Sequence, residues 1–306
     1  MKKVLRWFGI GLGSLAALLL LLTAALAVFA EVKFKQKFAD RPLYPIQADT
    51  SPEGLARGEY LVRSVMGCAD CHAGGQGLWP PAGYSQEIRQ GPIYVLTSVP
   101  NLTPDAETGL GDWSDAEIAR AIREGVDKDG FELESMPSAN YYNLSDADAA
   151  AIIGYLRSLE PVRSPLPEVQ ANLPAKMLSA LGVLGLPSVG EPIRSARQTP
   201  ERGSSEYGAY LVSLGGCRDC HGDGLSGGAV PFAGPEIPYA PNLTSNSQLS
   251  RWTEAEFLNL MRQGVNPVGH TLHEVMPWKV YGQMSDEDLA AIFHYLRALP
   301  GKTASR

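Results

Sequence analysis

Cys68-Ala69-Asp70-Cys71-His72 and Cys217-Arg218-Asp219-Cys220-His221 decide how this chain is read. Each is C-x-x-C-H, the spacing of covalent haem attachment. Two thiols must reach the two vinyl groups of one porphyrin, and the next side chain must turn its imidazole onto the iron. The two copies together use all four cysteines of the chain. Two other chemistries compete for the pairs: a four-cysteine zinc site and a redox dithiol at each. Neither requires a His after each second Cys, and an offset of 149 residues is wide for the halves of a zinc site.

Working outward from the motifs, the chain repeats itself. Gly58-Glu59-Tyr60-Leu61-Val62 answers Gly208-Ala209-Tyr210-Leu211-Val212, and Pro100-Asn101-Leu102-Thr103 answers Pro241-Asn242-Leu243-Thr244. Trp113-Ser114-Asp115-Ala116-Glu117 answers Trp252-Thr253-Glu254-Ala255-Glu256, Met136-Pro137 answers Met276-Pro277, and Tyr155-Leu156-Arg157 answers Tyr295-Leu296-Arg297. The offset falls from 149 to about 140 after the cysteine motifs, so the first copy carries a longer loop there. The expected division is a first domain over 51–163, an interdomain linker over 164–200 holding a short helix, and a second domain over 201–306.

Each copy offers three helices. Residues 53–66 and 201–214 lead to the cysteine motifs. The second helix opens with a capping box, Ser114-x-x-Glu117 or Thr253-x-x-Glu256, and closes at Gly125 or Gly264. The third starts at Ser145 or Ser285 and repeats apolar residues at i, i+3, i+4 and i+7: Ala149, Ile152, Ile153 and Leu156, or Leu289, Ile292, Phe293 and Leu296. No alternating strand run of any length appears, so the expected class is all-α.

A haem iron held by one His has an open sixth position. Met136 and Met276 lie 64 and 55 residues after their haem His, each directly before a Pro. Pro disfavours helix at the residue before it, which predicts an extended loop from which a thioether can reach iron. An isolated Met would be read as a core filler; the matched position in both copies favours ligation. Met66, Met177 and Met261 have no counterpart Met, Met284 answers Leu144, and His270 and His273 compete for the second iron. His294, opposite Gly154, reads as an ordinary helix residue. Asn101/Asn242, Trp113/Trp252 and Tyr141/Tyr281 are candidates to bond haem propionates or cover a haem edge, against plain packing. Asp70, Asp219 and Arg218, inside the attachment loops, are candidates to tune potential.

The 306 residues include 26 basic and 33 acidic side chains, a net charge of −7, with 44% hydrophobic residues. The charge is uneven: residues 51–163 hold 8 basic and 17 acidic groups. That balance argues against a nucleic-acid partner, and the acidic first half is suited either to steering a basic redox partner or simply to solubility.

Residues 1–30 begin with Lys2, Lys3 and Arg6 and continue uncharged from Trp7 to Ala30. Those 24 residues make about 36 Å of helix, enough for a hydrocarbon core of about 30 Å, and exceed the usual apolar region of a cleaved signal of about 7–15 residues. The expectation is an uncleaved single-pass anchor, with cleavage after Ala27 or Ala30 as the alternative and an irregular tether over 31–50. Covalent haem attachment outside the cytoplasm places the N-terminus inside and the bulk outside.

Both halves resemble class I cytochrome c domains, specifically those in cytochrome subunits of membrane-bound bacterial alcohol and sugar dehydrogenases. The resemblance rests on Cys68, Cys71, His72, Pro100-Asn101-Leu102-Thr103-Pro104-Asp105, Trp113-Ser114, Met136-Pro137 and Leu144-Ser145-Asp146, and on Cys217, Cys220, His221, Pro241-Asn242-Leu243-Thr244, Trp252 and Met276-Pro277. It covers about residues 51–300. It implies two tandem all-α domains, two covalently bound haem c groups with His72/Met136 and His221/Met276 as axial ligands, and single-electron transfer. It also implies a bacterial cytoplasmic-membrane location with periplasmic haem domains, and redox partners such as a dehydrogenase, another cytochrome or an oxidase. The sequence departs from many such subunits in having two haem domains rather than three. A haem enzyme of the dihaem peroxidase type is the alternative function, and a docking subunit with incidental haems a third.

Overall fold

In a computed structural model the described residues are 2–38, 40–75, 78–133, 135–183, 189–230, 237 and 239–302. The chain opens with α1 (Lys2–Phe34), a single helix of 33 residues. Its most apolar 18-residue window has a mean hydropathy of 2.5, and none of that window is buried. The helix thus continues beyond the uncharged stretch, through Glu31 and Lys33.

The first half follows the local signals closely. Ser51 caps α2 (Pro52–Tyr60), accepting the Gly54 N–H at 3.0 Å. A wider π-type turn, Leu61–Val65, continues it to Met66, and α3 (Cys68–His72) carries the first motif. After the strands β1 (Tyr84–Gln90) and β2 (Ile93–Val99) comes α4 (Asp115–Glu124), whose Ser114/Glu117 capping box is complete and whose C-terminal Gly125 has φ 70°. The short α5 (Ser138–Tyr141) and α6 (Asp146–Ser158), capped by Ser145, complete the half.

Between the halves lie β3 (Gln170–Ala171) and α7 (Leu173–Ala180). The second half repeats the order as α8 (Ser205–Leu214), α9 (Cys217–His221), a 3₁₀ turn at Gln248–Arg251, α10 (Glu254–Gln263), α11 (Trp278–Tyr281) and α12 (Asp286–Ala298). The Thr253/Glu256 capping box and the left-handed Gly264 (φ 68°) mirror those of α4.

The all-α expectation needs a correction. Strands β1 and β2 form an antiparallel hairpin in register from Tyr84↔Val99 to Gln90↔Ile93, and β3 adds to it through Val95↔Ala171 and Leu96↔Gln170. This hairpin is the longer loop of the first copy. Gly91, at φ 56°, occupies the first position of the two-residue Gly91-Pro92 turn, where a hairpin favours Gly. No period-2 pattern announced it because the strands have no fully buried face: β2 is half-buried throughout and β1 mostly exposed. The usable signal was the unbroken Ile93-Tyr94-Val95-Leu96-Thr97-Ser98-Val99 run after Gly-Pro.

In each half the first and third helices cross at glycine. A Cβ on Gly58 would overlap the Ala151 carbonyl of α6, and one on Gly208 would overlap the Ala291 carbonyl of α12. One continuous apolar core runs through both halves, from Leu61, Val65, Leu144 and Ile152 to Leu211, Leu214, Leu289 and Phe293. The halves meet reciprocally: α11 packs on the turn after α2, and α5 packs on α8. The extended segments before and after the first half also bind it. Phe38 N–H donates to Gly130 O at 2.6 Å and Asp49 N–H to Ala150 O at 2.9 Å. The buried Glu124 carboxylate accepts from Arg41 at 3.1 Å and from the Ile193 N–H at 3.2 Å.

Candidate functional site: two cysteine–histidine helices

The two C-x-x-C-H stretches adopt the same conformation. Gly67 and Gly216, at φ 58° and 63°, end the preceding turn in the left-handed region that glycine tolerates, and the next residue starts a fresh helical turn. Asp70 N–H then closes onto Gly67 O at 2.9 Å, and Asp219 N–H onto Gly216 O at 3.0 Å. On a helix, residues three apart lie on one face, so Cys68 and Cys71, or Cys217 and Cys220, project together, with the His ending the turn.

The imidazoles are oriented by a contact that the sequence did not disclose. His72 Nδ1 lies 2.7 Å from Pro100 O, and His221 Nδ1 lies 2.8 Å from Pro241 O. A carbonyl only accepts, so Nδ1 carries the proton and the Nε2 lone pair is left for a metal. Both rings are 7% exposed, and burial lowers the pKa of each despite the opposing bond to the Pro carbonyl, which keeps the imidazole neutral as a ligand must be. The repeated Pro-Asn-Leu-Thr was legible, but the working atom is a backbone oxygen, which no side-chain pattern reveals.

Asn101 and Asn242 serve this loop. The buried Asn101 Oδ1 accepts from Thr103 N and Oγ1 at 2.9 and 2.8 Å, and its Nδ2 donates to Val162 O at 2.7 Å. Asn242 repeats the pattern with Thr244 at 2.8 and 2.7 Å and with Lys302 O at 2.7 Å. These side chains brace the segment that presents the Pro carbonyl, so their polar groups are committed within the loop rather than offered to a propionate.

Met136 and Met276 also share one conformation. Each amide closes a turn, Met136 N–H on Leu133 O and Met276 N–H on His273 O, both at 3.0 Å. Each carbonyl accepts at 2.8 Å from the residue after the Pro, Ser138 or Trp278, and both prolines sit at φ −78°, ψ 51°. The predicted extended loop is therefore a tight turn, strapped to the end of the preceding helix by Leu133 N–H on Gly125 O and Leu272 N–H on Gly264 O. Both Met side chains are half-buried against the same apolar core. Of the competitors, Met261 and Met284 are core residues. His270 and His273 are exposed around a surface cavity of roughly 470 Å³, and His273 Nδ1 accepts the Val275 N–H at 3.1 Å. His294 pairs with Glu254 at 2.8 Å on the surface of α12.

Aromatic residues close the surroundings. Trp113 and Trp252 pack half-buried against the core. Tyr281 donates to Gly215 O at 2.5 Å, one residue before the left-handed Gly216. Burial pushes the Tyr141 and Tyr281 phenols well above their ordinary value, with Cys68 and Cys71, or Cys217, adding to it. Both phenols therefore stay neutral, and Tyr281 lies against the turn that leads into Cys217–His221. Asp219 accepts from Asn140 of the other half at 2.6 Å, and Arg218 Nη2 donates to Tyr295 Oη at 2.9 Å.

Among the described residues no three of His, Cys, Asp and Glu converge to hold a bare metal ion, which removes the shared zinc site. Burial pushes the Cys68 and Cys217 thiols up to about 12, the opposite of the activation a redox dithiol needs. What remains is paired thiols beside a neutral, oriented imidazole, a donor set that fits haem.

Comparison with known proteins decides the family. Residues 53–156 and 199–296 match the family model described as cytochrome c oxidase, cbb3-type, subunit III. The chain belongs to this cytochrome c family. As a cytochrome c it binds haem c covalently and serves electron transport. The gluconate 2-dehydrogenase cytochrome c subunit of Pantoea cypripedii is 32% identical over 82% of this chain and 61% of its own length. A dihaem c-type cytochrome of Cereibacter sphaeroides is 29% identical over 76% of this chain and 82% of its own. A nicotinate dehydrogenase subunit of Pseudomonas putida is 31% identical, aligning with 98% of this cytochrome but only 25% of its own length. The cytochrome thus spans about a quarter of one such relative and about three fifths of another.

Proposed function

We propose that this protein is a membrane-anchored dihaem cytochrome c passing single electrons from a dehydrogenase to a downstream cytochrome, quinone-linked complex or oxidase. Its haem domains are residues 51–163 and 201–306, separated by a linker over 164–200. Cys68 and Cys71 attach one haem and Cys217 and Cys220 the other; His72 and Met136, and His221 and Met276, are the axial ligands. When bound, haem supplies the one-electron couple, and the chain's residues set how readily it is used. The Pro100 and Pro241 carbonyls orient the imidazoles and raise their basicity, the thioethers favour the reduced state, and Tyr141 and Tyr281 exclude water.

One observation carries the reading: the Met-Pro turn has the same backbone in both halves, alongside a His–carbonyl bond that both halves also repeat. Two irons each given a thioether suit a carrier, whereas an enzyme of the peroxidase type keeps one position open. The similarity to dehydrogenase cytochrome subunits, among them that of a gluconate 2-dehydrogenase, supports a dehydrogenase as donor. The uncharged stretch of α1 supports a single-pass anchor in a bacterial cytoplasmic membrane, and covalent haem attachment outside the cytoplasm supports the N-terminus inside with the haem domains on the periplasmic side.

The test combines mass and spectra. The denatured protein should carry the mass of two haems. Met136→Ala and Met276→Ala should each lose one near-infrared sulfur-to-iron band and lower that haem's potential. Persistence of both bands in either variant rejects the ligand assignment, and a high-spin haem or rapid peroxide turnover in the unmodified protein rejects the carrier.

A further inference from the structure

The linker helix α7 packs along the last turns of α1. Lys176 Nζ pairs with Glu31 at 2.7 Å and stands 4.7 Å from the centre of the Phe34 ring, and Lys33 Nζ donates to Ala180 O at 3.4 Å. Ala30 and Ala175, both nearly fully buried, allow the close approach. The uncharged run of α1 ends at Ala30, so α7 lies level with the point where α1 leaves an apolar layer. At that level Leu173, Leu181 and Val183 are 43%, 59% and 54% exposed, and Val169 is exposed just before β3.

The linker helix is also rigidly tied to the first half. Asn172 caps α7 by accepting the Ala175 N–H at 3.1 Å, donates from Nδ2 to Pro92 O at 2.8 Å, and donates its own N–H to Tyr94 O at 3.1 Å. Strand β2, held in this way, runs into Pro100, whose carbonyl orients His72.

Resting on the reading of α1 as a membrane anchor, we propose that α7 and its flanks lie in the headgroup–acyl boundary of the outer leaflet. Leu173, Leu181 and Val183 enter the lipid, and Lys33, Lys35 and Lys37 remain among the headgroups. Apolar side chains at that depth gain by leaving water, the physics of an interfacial helix. The occupant of the surface is lipid because the patch continues an apolar helix that has already entered it. A lone spanning helix leaves the haem domains free to swing; a second contact on a tied linker fixes their tilt.

The test uses the full-length holoprotein in phosphatidylcholine nanodiscs doped with a diazirine-acyl phosphatidylcholine. After photolysis, peptide mass spectrometry should find lipid adducts on α1 and on residues 173–183. In the double variant Leu181→Glu, Val183→Glu the linker adducts should fall about fivefold or more, with the α1 adducts and haem spectra unchanged. Adducts on α1 without any on 173–183 overturn the proposal while leaving the anchor intact, as do linker adducts insensitive to the double variant. Absence of adducts on α1 overturns the anchor itself.

Discussion

Tyr60 of the first half donates its phenolic proton to Asp288 of the second at 2.7 Å, and Tyr210 of the second returns the same bond to Asp148 of the first, also at 2.7 Å. The same phenol oxygens accept the backbone N–H groups of Ser285 and Ser145, at 3.0 and 3.2 Å. Each tyrosine thus completes the N-terminus of the other half's last helix. The exchange has the form of an isologous contact, in which two like patches each use the same residues. Asn140 on Asp219 and Val280 over Gly67 extend it to the attachment helices.

These tyrosines make stability pH-dependent on the alkaline side. Burial, and then the Asp288 carboxylate, raise the Tyr60 phenol; burial and Asp148 raise Tyr210. A group whose folded pKa exceeds its unfolded value of about 10 contributes fully below that pH and loses its contribution as pH climbs toward the folded value. Thermal unfolding followed by far-UV circular dichroism should therefore fall steeply above about pH 10. Tyr60→Phe and Tyr210→Phe should each cost about 1–2 kcal/mol at neutral pH and flatten the alkaline limb. A double variant with the wild-type alkaline slope would reject this origin.

The sequence disclosed what is local. Capping boxes at Ser114 and Thr253, left-handed glycines at 125 and 264 and the Ser145 and Ser285 caps all lie where the pattern put them, because a cap is chemistry between residues three apart. What stayed hidden is remote or lies in the backbone. Tyr60 and Tyr210 were visible as a repeat, yet their partners are 228 and 62 residues away and belong to the other copy. The Pro100 carbonyl has no sequence signature, and the hairpin lacks a buried face to impose alternation.

The helix crossings set a strict size limit. Gly58→Ala places a methyl group on the Ala151 carbonyl, and Gly208→Ala does the same at Ala291. Both neighbours are backbone within a helix and yield only if the helices separate. Each substitution should destabilise by about 1–3 kcal/mol, as overpacking does, despite the better helix propensity of Ala. Chemical denaturation of the two single variants measures it; a neutral or stabilising result would show that the crossings relax easily.

Glu124 ties three segments together. Its carboxylate faces Arg41 from the segment after α1 and the Ile193 amide from the segment between α7 and α8, while its own carbonyl accepts the Gly190 N–H at 2.9 Å. Arg41 also donates to Gly190 O. Glu124→Ala leaves a largely buried guanidinium without its carboxylate and with only the Gly190 carbonyl to receive it, at a cost of about 3 kcal/mol. Limited proteolysis should then cut faster between residues 40 and 50 and between 189 and 200, with the second-half haem spectrum unchanged. Equal protection in the variant and the parent would mean that the clamp is redundant.

Asn101 and Asn242 occupy equivalent positions with unequal burial, which predicts unequal effects. Asn101 is 1% exposed and accepts from the buried Thr103 N–H while donating to Val162 O; its loss leaves the buried Thr103 amide unpaired, whereas the half-buried Val162 carbonyl keeps the Thr103 hydroxyl as a donor. At about 1–3 kcal/mol for that unpaired group, Asn101→Ala should destabilise by about 2–3 kcal/mol. On the proposed ligation of haem iron by His72, it should also loosen Pro100 and so disturb the field at that iron. Asn242 is only half-buried, so water can replace its partners and Asn242→Ala should cost about 1 kcal/mol. Denaturation gives the stabilities, and low-temperature magnetic resonance of the oxidised protein separates the two haem signals. Asn101→Ala should broaden or shift one signal and leave the other in place; movement of both, or of neither, would deny that the loop acts through the Pro100–His72 bond.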